Sequence, residues 1–189
     1  MRKQIFIYLG GCLMLFGCSK SSKNEFVPKD EWQKYMVGQI DSLLIINPTV
    51  NKNVTSSDLV ENEVLKSPIS RDKWMDELGA FLMVDFINEK EKSKLQHSID
   101  SAGKNSIENY YSNDTNAYLQ SFSIHKTNNV IQLLQWQLKK RTFLMDRDVQ
   151  MSYQPLKGYR IQINENALWN SPKQIEIFAE IQNINDLRR

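Results

Sequence analysis

Apolar positions along the chain follow two different periods. From Glu31 to about Ile46, the residues Trp32, Tyr35, Met36, Ile40, Leu43 and Leu44 recur at helical spacing and lay one apolar stripe on a helix. Asp30 can cap this helix, with Gln33 three residues on to close a capping box. Asn47-Pro48 ends it, because a proline pushes the preceding residue out of the helical region. A polar loop through Asn51 to Ser57 is expected next, then a short helical turn over Asp58 to Lys66, broken at Ser67-Pro68. Ser70 offers the cap of a longer helix with Trp74, Leu78, Phe81, Leu82 and Asp85 on one side. The charged run Glu89-Lys90-Glu91-Lys92 is either a solvated stretch of one long helix or a joint between two; past it the same pattern reaches Leu95, Ile99 and Ala102, and Gly103 suits the left-handed position after a helix end.

The period changes towards the C-terminus. Val130, Leu134, Leu138, Met145 and Val149 fit a helix begun near Asn128, and their Gln, Leu, Lys and Arg neighbours favour one. Val130, Gln132, Leu134, Trp136 and Leu138 also alternate, as a strand after a turn at Asn128-Asn129 would. The helix is the preferred reading by a narrow margin. Tyr159, Ile161 and Ile163 alternate with polar residues, as do Ile175, Ile177, Ala179 and Ile181. They predict two strands joined through Asn164 to Pro172. A hairpin is not stable alone, so this one packs on the helices or pairs with a third strand, for which Val149 to Tyr153 is the candidate. The expected fold class is α+β: N-terminal helices followed by a small C-terminal antiparallel sheet or hairpin, in a single globular domain over residues 29–189.

The start of the chain is of another kind. Met1-Arg2-Lys3 leads into the apolar run Ile5 to Phe16 and then Leu15-Phe16-Gly17-Cys18. A basic start, an apolar stretch of about a dozen residues and a small residue before a cut site define a secretory signal. The stretch is shorter than the roughly 20 residues a spanning helix needs. Leu15-Phe16-Gly17-Cys18 resembles the lipobox of bacterial lipoproteins, with Phe16 departing from the small residue usual at its position. That resemblance covers the signal only. It implies that residues 1–17 are a lipoprotein signal peptide, that Cys18 becomes the acylated N-terminus, and that residues 18–28 form a tether. Two or more acyl chains anchor stably at roughly 0.8 kcal/mol per buried methylene. The tether, about ten residues long, reaches roughly 30 Å when extended.

Lipoprotein sorting gives the expected address. Richness in Lys, Asn and Ile resembles the AT-rich genomes of the Bacteroidota, where lipoproteins sent to the cell surface carry an acidic cluster after the Cys. Here Lys20 and Lys23 face only Glu25, and Ser19 follows the Cys. The expectation is the outer membrane, with the domain facing the periplasm.

Composition narrows the function classes. Loss of Arg2 and Lys3 with the signal lowers the basic residues from 24 to 22, against 22 acidic ones, so the domain is neutral. A neutral domain has no electrostatic footprint for nucleic acid. Cys12 leaves with the signal and Cys18 takes the lipid, so no disulfide or free thiol is expected in the domain. The sequence holds no Gly-rich phosphate loop, Gly-x-Ser-x-Gly elbow, paired-Cys motif or His-Glu-x-x-His, so no catalytic, metal or cofactor site is assigned. His97 and His125 stand without local metal-ligand partners. Asp146-Arg147-Asp148 and Lys139-Lys140-Arg141 read as solvated charge. Trp32, Trp74 and Trp136 read as core. Trp169 lies between Asn164-Glu165-Asn166 and Asn170-Ser171-Pro172, where an aromatic either folds back onto the core, the commoner outcome, or meets a partner. It is the candidate binding residue.

The expected function is therefore a non-enzymatic, lipid-anchored binding or scaffold protein. It would serve as an accessory subunit of an envelope-spanning secretion or transport system and contact the membrane through its lipid and other envelope proteins. The alternative is an immunity or inhibitor lipoprotein that neutralises a toxin. Cys18→Ser should abolish incorporation of a fatty-acid probe and leave unprocessed precursor; unchanged labelling would refute the anchor.

Overall fold

The computed structural model describes residues 31–82 and 95–182; the expected signal and tether, with Cys18, Asp30, Asp85 and the Glu89-Lys92 run, lie outside the described residues. The expected helical domain with a small terminal sheet is incorrect. The chain builds a nine-stranded antiparallel sheet, with short helices on one face. Helix α1 covers Glu31–Ile46, as its apolar spacing predicts. The expected loop and helical turn that follow are instead the hairpin β1 (Thr49–Ser56) and β2 (Val60–Leu65). Ser70 does cap a helix, its hydroxyl accepting from the Lys73 amide, but α2 (Arg71–Glu77) and α3 (Gly79–Leu82) are short. Leu95–Ala102, read as helix, is strand β3.

From β3 the chain runs as one meander: β4 (Asn105–Ser112), β5 (Leu119–Thr127), β6 (Val130–Arg141), β7 (Met145–Gln154), β8 (Gly158–Ala167) and β9 (Lys173–Gln182). Strand β1 then pairs with β9, giving the order β2-β1-β9-β8-β7-β6-β5-β4-β3. Turn chemistry fixes these hairpins. Asn128 and Asn129, at φ 52° and 63°, make a two-residue turn between paired Thr127 and Val130. Positive φ at both central positions matches the twist of the flanking strands, and Asn tolerates it. Gly103, at φ 63°, starts the β3–β4 turn, where a helix end was expected. At Gly158, φ is 149° and a Cβ would sit 2.1 Å from the Ala179 carbonyl oxygen, so only glycine lets β8 approach β9 there.

Strand β6 was expected to be helical because a bulge at Gln132 disturbs its alternation. Pairing between β5 and β6 slips between Leu119 and Ser121 and again between His125 and Lys126. A bulge opposes two residues to one. Across the second slip, Ile131 and Leu134 both pack into the core, three positions apart, and Leu138 follows four later. Those are helical intervals on a strand.

Alternation puts Leu134, Trp136 and Leu138 of β6, Met151 and Tyr153 of β7, Tyr159 and Ile161 of β8, and Ala179 and Ile181 of β9 on one buried face. Met36, Ile40 and Leu43 of α1, with Trp74, Leu78 and Phe81, cover it. The opposite face is polar, as one side of an antiparallel sheet can be.

One ionised group is buried in this interface. The Glu77 carboxylate, at the end of α2, accepts from the Tyr159 hydroxyl at 2.6 Å and from Lys52 Nζ at 2.9 and 3.2 Å, with Lys73 Nζ at 3.3 Å. Burial pushes its pKa up. The Tyr159 hydroxyl and the two lysines outweigh burial and hold it below the ordinary 4.5. Burial and the adjacent carboxylate in turn push the Tyr159 hydroxyl well up. Glu77→Gln should cost about 3 kcal/mol at neutral pH, because it leaves Lys52 short of its counter-charge. A depressed folded-state pKa stabilises fully above the unfolded value and ceases to do so as pH falls through the folded one. The stability gap between the two proteins, from denaturant melts, should therefore shrink on acidification below 4.5. A gap independent of pH would show that the carboxylate is not what Lys52 and Tyr159 hold.

Candidate functional site

Two adjacent hairpin turns, β6–β7 and β8–β9, form one end of the sheet beyond the helices. In the first, the Thr142 amide donates to the Met145 carbonyl at 2.9 Å and the Met145 amide to the Thr142 hydroxyl at 3.0 Å. Phe143 and Leu144 are held at its apex. In the second, the Asn170 amide closes on the Ala167 carbonyl at 3.3 Å. The Leu168 amide donates to the Leu144 carbonyl at 2.9 Å, so the two turns are stitched together. The result is a rigid apolar tip with Phe143 90% exposed, Trp169 79%, Leu168 60% and Leu144 48%. Single exposed apolar residues are ordinary; four at one sheet end form a patch of the kind that marks contact sites.

The approach to the tip is charged. Just below it, Arg147 of β7 pairs with Glu165 of β8 on the helix-facing side, and Lys139 of β6 lies 3.7 Å from Asp148 of β7 on the other. Lys140, Arg141 and Lys173 are exposed around the same end. The sequence segment Asp146-Arg147-Asp148 is thus no cluster, because alternation sends Arg147 to one face and the aspartates to the other.

A second feature lies on the polar face of the sheet. Ser121, Ser123, Gln135, Gln137, Gln150, Ser152, Arg160 and Gln162 line an open groove of about 410 Å³. It meets a second depression of about 830 Å³ at Ser152 and Arg160, which continues past the Pro155-Leu156-Lys157 turn to Phe178 and Glu180. Arg160 is held by Glu176 at 3.2 Å and lies over the Phe178 ring, 5.3 Å from its centre. The groove is otherwise lined by uncharged amides and hydroxyls, with the buried Trp136 and Met151 at its floor.

The predicted site residues fall as follows. Trp169 sits at the tip, in solvent rather than in the core. Trp74 and Trp136 are buried, and Trp32 packs against the core. His97 is on β3, not on a helix, stacked on Tyr110 with ring centres 4.4 Å apart. His125 is on β5, its Nε2 3.2 Å from the Ser123 hydroxyl at the edge of the groove. There β5 is paired on both sides, to β4 and to β6. Among the described residues no group of three His, Cys, Asp or Glu side chains could hold a metal. Phe143 and Leu144 escaped notice in the sequence. The signal present was two apolar residues one position past the basic run Lys139-Lys140-Arg141, after Thr142.

No protein-family model and no curated protein matches this chain.

The tip and the core predict opposite effects of one substitution. Trp169→Ala should change stability by no more than about 0.5 kcal/mol, as surface substitutions do. Trp136→Ala removes a ring packed on Trp32, Phe81 and Phe122 at 5.1 to 5.2 Å and should cost about 3 to 5 kcal/mol. Thermal melts of both variants check this; a large loss with Trp169→Ala would place its ring in the core.

Proposed function

We propose that the protein is a lipid-anchored, non-enzymatic binding or scaffold subunit of an envelope assembly, held at the periplasmic face of the outer membrane, and that the groove on the polar face of its sheet receives the protein partner. The observation that carries this reading is the groove's chemistry. Amides and hydroxyls present donors and acceptors together, and the one arginine is already neutralised by Glu176. Such a surface suits a neutral polar partner, since interface hydrogen bonds give orientation while an unpaired charge would repel or need desolvation. The lipobox-like sequence around Cys18 supports the anchor, and the basic, Ser-rich stretch after it supports the periplasmic side.

A photo-crosslinking residue placed at Gln137 or Gln150 of the full-length protein in intact cells should yield the same discrete adduct with an envelope protein. Gln150→Trp, which fills the groove, should abolish that adduct and leave the melting temperature unchanged. Adducts that persist in Gln150→Trp, or that arise equally from an exposed position on β2 such as Glu61, would refute the groove as the partner's seat.

A further inference from the structure

We infer that the apolar tip formed by Phe143, Leu144, Leu168 and Trp169 seats in a lipid surface, giving the domain a second membrane contact beside its anchor. This inference rests on the anchored reading of Cys18. Three observations favour a bilayer over a protein as the occupant. The first is the side chains, since a Trp, a Phe and two Leu at the apex of a closed structure are those that settle at the boundary between headgroups and acyl chains. The second is charge. Lys139, Lys140, Arg141, Arg147 and Lys173 flank the two tip turns against Asp146, Asp148 and Glu165, a local excess of two positive charges beside the apolar residues, while Asp58 and Asp114 lie in the neighbouring β1–β2 and β4–β5 turns. Basic residues beside an apolar insertion complement anionic headgroups.

The third observation is where the chain comes from. Trp32, at the start of α1, packs on Trp136 and Phe122 in mid-sheet, and β6 runs from Trp136 towards the tip. The other end of α1 leads into Thr49, paired with Gln182 at the end of β9 farthest from the β8–β9 turn. The helix therefore starts on the tip-ward side and runs away from it. Cys18 precedes Glu31 by thirteen residues, which extend to at most about 45 Å. Trp136 lies five residues below Arg141, about 17 Å along the strand. An acylated Cys18 and the tip can thus occupy one bilayer surface at once.

The test uses the full-length acylated protein in vesicles of phosphatidylethanolamine and phosphatidylglycerol, with bromine on the acyl chains as a quencher. Trp74 and Trp136 are buried and Trp32 is packed on the core, so Trp169 is the tryptophan that lipid can quench. The expected result is quenching that Trp169→Phe removes and that Phe143→Ser with Leu144→Ser weakens, with the melting temperature unchanged. An unacylated chain begun at Ser19, free of the apolar segment that the Cys18→Ser precursor keeps, should bind the same vesicles weakly, losing about tenfold in partitioning for each large apolar tip residue removed, and should bind neutral phosphatidylcholine vesicles less. If the acylated protein floats with vesicles while Trp169 stays unquenched, the tip inference is overturned and the anchor stands. If the native chain carries no acyl group yet the tip still partitions, the anchor fails and the tip contact stands. A crosslink from Leu168 to a protein, with no lipid quenching, would also overturn the inference and assign the tip to a protein partner.

Discussion

Phe81 touches one ring on each of three adjacent strands: Trp136 of β6 at 5.2 Å, Tyr153 of β7 at 5.8 Å and Tyr159 of β8 at 5.7 Å. The docking of helices on the sheet depends on this contact set. The helix that carries Phe81 is only four residues long and cannot be stable by itself. Large rings make up for the shortness of the helical layer, because each aromatic side chain buries far more surface than an aliphatic one. Trp32 extends the same cluster towards Phe122 from α1, which joins the helices through one continuous aromatic layer.

That layer covers only part of the sheet, and the division of the molecule follows from its limits. Where helices lie, the strands place Leu134, Met151, Tyr153, Tyr159 and Ala179 inward. Beyond them, the inward positions change to Val149 and Ile163, partly buried, and then to the Arg147–Glu165 pair. An ion pair at that place needs no full desolvation, because both side chains stay partly exposed. The tip beyond it has no share in the core, so its four large apolar residues are not explained by folding. The Glu77 cage lies at the opposite limit, where α2 meets β1 and β8, and there buried charge is kept only because three donors converge on it.

Local signals were legible in the sequence, and non-local ones were not. Helix α1 could be read because its stripe is regular and its stop is a proline. The Ser70 cap could be read as a start, but a cap does not specify how long the helix runs. β3 was lost because Leu95, Ile99 and Ala102 sit at helical intervals on a strand whose exposed edge tolerates any spacing. β6 was lost to a bulge that only its partner strand reveals. The tip was half legible: Trp169 stands out between polar residues, whereas Phe143 and Leu144 gain meaning only once β7 pairs with β8 and brings the two turns together. The groove was not legible at all. Its serines and glutamines come from four strands, and each in its own segment is an ordinary solvent-facing residue.

A tether fixes how far a domain can stray from a bilayer but not which way it faces, whereas a second contact at a sheet end fixes orientation too. With the tip seated, the strands stand away from the surface, and Gln150 lies five residues above Met145, about 17 Å from the tip. The groove then opens sideways, clear of the headgroups, and the Pro155-Leu156-Lys157 turn points outward at about 30 Å. A partner arriving in the plane of the membrane would meet the polar face directly. Pre-orientation of this kind raises the effective concentration of a docking surface without any added contact, because the rotational freedom of the domain is already spent before the partner arrives.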